Sequence, residues 1–222
     1  MIPLFDCWKQ LNSDFNKYFN EFDIFIKSQS GSFSASNFRL KEECYLEGML
    51  SRVWQSWCIF CRSCLIESCL GTVSTSGVSI SRLPFAHSES HVSGAAIRAK
   101  DNRAKSPYWG NTNSVLRLEP TWGNVDLLVD IINRLSPNNS AQLIAAFSSG
   151  SINAKTLQVI RNATAHNNRE TDLEVQNLRS RYKTFPITHP IQAIFWEQRH
   201  TMDFLVIDAM KNLLSISDAA IY

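Results

Sequence analysis

Leu157-Gln158-Val159-Ile160-Arg161-Asn162-Ala163-Thr164-Ala165-His166-Asn167-Asn168 reads as the closing turns of an amphipathic helix. Leu157, Ile160 and Thr164 fall on one side and can pack inward. Gln158, Asn162 and His166 share another face, with Lys155 flanking, because residues four apart on a helix lie one above the other. Arg161 stands five residues before His166, which rotates it by about 140° on an ideal helix, so it reaches that face only through its long side chain or a local distortion. Asn167-Asn168 suits a left-handed helix end. The residue types are chemically suggestive: histidine exchanges protons in both directions near neutral pH, and arginine offers a planar fork of donors matched to phosphate.

Outward from this helix the pattern stays helical. Downstream, Thr171-x-x-Glu174 has the form of a capping box, opening a helix to about Tyr182. Pro186, His189 and Pro190 interrupt, and Pro190 suits the first turn of a final helix reaching about Leu214. Upstream, Ser140 to Ser148 and roughly 125–135 read as helices, the second capped by Asn124 and stopped by Ser136-Pro137. At the start of the chain Trp8, Leu11, Phe15, Tyr18, Phe22 and Phe25 form one apolar stripe over residues 4–27. Ser28 to Ser36 is a Ser/Gly-rich loop. A second helix is expected from Asn37 to Leu70 with Gly71 as its stop. At about 1.5 Å per residue it is long enough to invite a bend or break. Residues 72–120 differ: serines, glycines and prolines break any long period, and the segment reads as an extended insertion, holding short strands at Val78-Ser79-Ile80 or being mobile. The expectation is one all-α bundle over 1–222 with a long, partly irregular insertion between its early and late helices.

Composition narrows the function. The 222 residues are 44% hydrophobic and 19% charged, with a net charge of +2, as in an ordinary globular protein. Residues 1–110 carry 12 basic and 10 acidic side chains, residues 111–222 carry 10 of each, so any nucleic-acid contact must be local. Asp6, Lys9, Asp14 and Lys17 do not fit a signal peptide, and no uncharged run approaches the roughly 18 residues of a membrane span. The expected compartment is a reducing cytoplasm. Of six cysteines, Cys58, Cys61, Cys64 and Cys69 fall in one helical stretch, and a secreted disulfide framework spreads its cysteines between loops. Along that helix Cys58 and Cys69 stand about 16 Å apart and cannot share one metal. They read as reduced thiols packed among aromatics.

Further candidates are weaker. His87-Ser88-Glu89-Ser90-His91 has metal-ligand types but lacks a further ligand at a recognised spacing, so it reads as solvated. Arg98, Lys100, Arg103 and Lys105, followed by Tyr108 and Trp109, could attract RNA phosphate and stack bases, or be a solvated loop diluted by Asp101. His189 and His200 read as structural, and Glu43 and Glu47 as a surface face. No phosphate-binding glycine loop and no Gly-x-Ser-x-Gly elbow is present. No metal or cofactor is expected.

Arg161-Asn162-Ala163-Thr164-Ala165-His166 has a bland reading: a solvated arginine, a histidine favoured by the dipole of a helix C-terminus, and Asn167-Asn168 as a cap. The same residues resemble the motif of the HEPN superfamily, an arginine and a histidine separated by four to six residues of which the first is often polar. The order of helices, with the motif late in a bundle, is similar too. The motif match covers about ten residues. The resemblance implies a homodimeric, metal-independent endoribonuclease, often of toxin–antitoxin or antiviral defence systems, in which the Arg–His pairs of two subunits face each other. It implies that Arg161, Asn162 and His166 carry the chemistry, with RNA as substrate and an antitoxin or defence protein as possible partner. His166 would be general base or acid, Arg161 would stabilise phosphorane charge, and Asn162 would orient the histidine or the phosphate. One branch has tyrosine two residues after the histidine, modified by a nucleotidyltransferase; here that position is Asn168, so that control is not implied. The alternative is a HEPN-like module that binds RNA, nucleotide or protein without chemistry.

Overall fold

The computed structural model describes residues 3–29, 38–101, 103–110, 115–166 and 168–222. The chain is all-α, and among the described residues the strands are limited to two short antiparallel pairs. The helices are α1 (Leu4–Ser28), α2 (Leu40–Leu70), α3 (Glu89–Ala99), α4 (Val125–Leu135), α5 (Ser140–Ser149), α6 (Ser151–His166), α7 (Arg169–Asn177) and α8 (Leu205–Ile221). Among the described residues, the strands are β1 (Thr72–Val73) with β2 (Ser79–Ile80), and β3 (Tyr182–Lys183) with β4 (Glu197–Gln198). The residues fall into two compact units, each built from separate stretches of chain.

The first unit comprises Met1–Asn12, Trp57–Ser151 and Leu214–Tyr222. Its core sets Trp57 against Phe60 with ring centroids 5.7 Å apart, and Phe147 edge-on to Trp57 at 6.0 Å. Trp57 Nε1 donates to the Gly123 carbonyl at 3.2 Å, so this fully buried indole keeps a partner. Cys61, Cys64 and Cys69 are buried here as free thiols. Burial pushes the Cys69 thiol up to about 12 and moves Cys61 and Cys64 in the same direction, so these groups stay protonated and pack as small apolar side chains. α2 runs uninterrupted to Leu70 and ends where Gly71 takes a φ of +91°. The chain returns at once as the β1–β2 hairpin, with Thr72 opposite Ile80. Asn124 caps α4 through its side chain and the helix stops before Ser136-Pro137, both as the sequence suggests, while Ser136 itself takes the left-handed conformation.

The 72–120 segment is more ordered than its composition indicates. Ser88 accepts from the His91 amide and opens α3, whose small face of Val92, Ser93, Ala95, Ala96 and Ala99 is buried. Short side chains give little apolar periodicity, but they allow close helix approach. A part-buried polar hub holds this region. Arg62 donates twice to Glu119, at 2.9 Å each, and to Glu89 at 2.7 Å. Ser93 and Trp122 also donate to the Glu119 carboxylate.

The second unit comprises Ser13–Ser56 and Ile152–Leu213. Its core is a phenylalanine cluster: Phe22 stacks on Phe195 at 5.3 Å, and Phe204 stands edge-on to both. Three expectations are corrected here. Thr171 is not the cap of α7; Asn168 is, accepting from the Glu170 and Thr171 amides while Thr171 Oγ1 accepts from the Asn168 amide. The helix that follows stops at Asn177 instead of running to Tyr182. Pro190 opens only a tight 3-10 segment, Pro190–Phe195, capped by His189 and Gln192. The final helix begins fifteen residues later, at Leu205. Trp196 turns extended there because β4 pairs with β3, Tyr182 opposite Gln198. The Ser28–Ser36 loop lies outside the described residues from Ser30 onward, as do the expected helix start at Asn37 and the cap at Asn167.

Candidate functional site

α6 carries the Arg161 to His166 stretch as expected. Ala154, Leu157, Ile160 and Ala163 are buried, while Lys155 is exposed, Gln158 half-buried, and His166 exposed as the last residue of the helix. The apolar side therefore fixes the helix, and its polar edge faces outward. Arg161 is half-buried and its Nη1 donates to Asn162 Oδ1 at 3.3 Å. That bond bends the guanidinium toward the Asn162 side, compensating part of the rotation that separates Arg161 from His166 along an ideal helix. Thr164, assigned to the inward side, instead stays half-buried and donates from Oγ1 to the Arg161 carbonyl at 2.8 Å. A single chain thus offers an anchored guanidinium beside an amide, and an accessible imidazole one turn beyond.

Arg98, Lys100, Arg103 and Lys105 belong to the first unit, whereas α6 beyond Ser151 belongs to the second. They do not form a free basic row. Lys100 Nζ donates to the carbonyls of Leu118 and Glu119. Arg98 stands in the last turn of α3 with its guanidinium against Gly110. Of the four, Arg103 and Lys105 are exposed and Arg98 and Lys100 half-buried. Nearby, His91 Nε2 meets the Gly110 carbonyl at 2.9 Å, and its ring stacks on His87 at 5.2 Å. Among the described residues no three His, Cys, Asp or Glu side chains are arranged to hold a metal ion. No described helix is long and apolar enough to cross a membrane.

One feature of the second unit escapes any local motif. A cleft of about 750 Å³ opens between the start of α6, the β3 strand, the loop after β4 and the middle of α8. Its walls include Arg181, Arg199, Asp203, Asp208, Lys211 and Asn212. Arg181 donates to the buried Thr156 hydroxyl at 3.1 Å and lies over the Tyr182 ring, and Arg199 reaches the Tyr182 carbonyl at 3.4 Å. Lys211 pairs with Asp203 at 2.7 Å. The Asp208 amide donates to the Phe204 carbonyl at 2.9 Å, but its carboxylate has no hydrogen-bonded or ion-paired partner among the described residues. Burial, and then Asp203, raise its carboxyl above the ordinary value while Lys211 opposes them. Asn212 Oδ1 is buried with no donor among the described residues. The lining is gathered from four separated elements, with no spacing that marks it in sequence. Elsewhere in this unit Glu47, read as surface, meets His189 at 3.5 Å. Compared with known proteins, the chain matches no family model, no curated relative and no solved structure.

Proposed function

We propose that this chain is a HEPN-like endoribonuclease cutting RNA without a metal, with Arg161, Asn162 and His166 at its centre. The observation that supports the reading most is the pairing of Arg161 with Asn162 at 3.3 Å on a helix that leaves His166 exposed at its end. Arg161 keeps most of its donors for a phosphate, and an exposed imidazole can exchange protons with substrate.

The reaction that suits these groups is internal transesterification. His166 takes the proton of a ribose 2′-OH, the 2′-oxygen bonds to phosphorus, and the bond from phosphorus to the 5′-oxygen breaks. A proton returns to the leaving 5′-oxygen. The products are a 2′,3′-cyclic phosphate and a 5′-hydroxyl, and the need for a 2′-OH restricts the reaction to RNA. Arg161 stabilises the charge that grows on the phosphorane oxygens. Proton transfer by one positioned group contributes roughly 10²–10⁴ in rate. A homodimer, an RNA substrate and a role in a toxin–antitoxin or defence system in the cytoplasm belong to this same proposal.

A second reading, a module that binds and does no chemistry, draws on the polar cleft lying away from the motif. Incubating the pure chain with cellular RNA in EDTA, beside Arg161→Ala and His166→Ala proteins checked for folding, separates the two. Cutting by the unmutated chain only, with cyclic-phosphate ends, supports the nuclease. Equal cutting by all three removes the Arg–His site, and intact RNA in all three leaves the binding module.

A further inference from the structure

We propose that the cleft between α6, β3 and α8 binds a guanine nucleotide unit, the base held by Asp208 and Asn212 and its phosphate by Arg181 and Arg199. This goes beyond the cleavage reading and stands without it.

Two acceptors in the walls of the cleft lack partners among the described residues. Asp208 and Asn212 sit four residues apart on α8, one turn above the other. The first is a carboxylate with no hydrogen-bonded or ion-paired partner among the described residues, and the second has a buried carbonyl oxygen with no donor among them. A buried acceptor without a donor is costly, and a half-buried carboxylate left unpaired in a cleft wall is open to a ligand, so the two point to a bound group that completes them. Both are acceptors, and the missing group is therefore a donor.

Charge then narrows the class. Lys211 and Asp203 neutralise each other at 2.7 Å. Arg181 and Arg199 remain against Asp208 alone, an excess of positive charge that disfavours an amine or guanidinium as the donor. The ligand is instead neutral at its donor edge and anionic at its other end. Both guanidinium groups are tethered at Tyr182, one over the ring and one at its carbonyl. Each spends one donor on the protein and keeps others for phosphate oxygens. Among the bases, guanine alone carries two adjacent donors, N1–H and N2–H, which match the two oxygens of one carboxylate; the adenine edge offers an acceptor there. The cleft, about 750 Å³, falls within the range of small-ligand sites. The same unit could come from a free nucleotide or from a guanosine within RNA.

Calorimetric titration of the full chain tests this. The probes are guanosine 5′-monophosphate, adenosine 5′-monophosphate, guanosine, and an oligouridylate with one guanosine, 2′-O-methylated throughout so that it cannot be cut. Guanosine monophosphate is expected to bind about 10- to 100-fold more tightly than adenosine monophosphate, the worth of hydrogen bonds to a charged group. Asp208→Asn should erase that preference and gain affinity for xanthosine 5′-monophosphate, which has an acceptor where guanine has its amino group. Arg199→Ala should weaken the monophosphate while leaving guanosine unchanged. Tighter binding of the oligonucleotide identifies RNA as the source, and tighter binding of the monophosphate identifies the free nucleotide. Equal affinity for the guanine and adenine monophosphates, no binding of either at millimolar concentration, or an unaltered preference in folded Asp208→Asn overturns the inference. RNA cutting that persists without base preference would leave the nuclease standing alone, and guanine binding without cutting would leave the cleft standing alone.

Discussion

At the scale of single residues, Glu119 shows what a sequence conceals. Nothing around it forms a motif, yet four side-chain donations, from Arg62 twice, Ser93 and Trp122, end on its carboxylate. Burial by itself would raise its carboxyl, but these hydrogen bonds and the Arg62 charge hold it at about 2, below the ordinary 4.5. A carboxyl depressed on folding contributes stability that is complete above its unfolded value. The contribution fades as pH falls from about 4.5 toward about 2. Thermal unfolding followed from pH 7 to pH 2 should show the loss in that window. Glu119→Gln should flatten the acid dependence and cost about 1–3 kcal/mol at neutral pH, because Arg62 keeps only Glu89. An unchanged acid profile would mean the hub contributes nothing. The candidate site divides the same way. Arg161, Asn162 and His166 are neighbours in sequence and visible there. Asp208, Asn212, Arg181 and Arg199 meet only through β3 pairing with β4 and the turn into α8, which no spacing announces.

At the scale of elements, the helices that sequence describes well are those with a strong apolar stripe and explicit end signals. α4 is an example, with Asn124 at its start and Ser136 at its end. α3 is hard to read because its buried face, Val92 apart, is alanine, serine and glycine, which carry little hydrophobic contrast. The region after Pro190 misleads for the opposite reason. Ile191, Ile194 and Phe195 keep a spacing that a 3-10 turn satisfies as well as an α-helix, and the β3–β4 pairing then claims Glu197 and Gln198. Gly71 is the element boundary most exposed to test. Its φ is +91°, and a Cβ there would stand 2.9 Å from the Arg82 amide nitrogen. Gly71→Ala should therefore destabilise the first unit by roughly 1–3 kcal/mol through backbone strain, read as a lower denaturant midpoint at constant slope. A neutral result would mean that the β1–β2 hairpin relaxes without cost.

At the scale of the whole molecule, the nuclease proposal makes a demand on assembly that one helix cannot meet by itself. On an ideal helix Arg161 and His166 stand about 140° apart, and the turn of Arg161 toward Asn162 makes up only part of that rotation. A two-fold pair of chains resolves this, because an isologous contact lets Arg161 of one chain meet His166 of the other. The unmutated 25.2 kDa chain should then scatter light with about twice that mass. Arg161→Ala and His166→Ala proteins, each inactive alone, should recover activity when mixed and re-associated. In a mixed dimer one composite centre keeps both an intact arginine and an intact histidine, and the other has neither. Random re-association makes about half the dimers mixed, each with one working centre of two, so about a quarter of the unmutated activity should return. If mixing restores nothing while mixed dimers demonstrably form, each centre draws its arginine and histidine from one chain, and Arg161 must swing across α6 to reach the phosphate. If the unmutated chain stays a monomer and still cuts RNA, the paired arrangement is unnecessary for the chemistry, and α6 alone has to supply it.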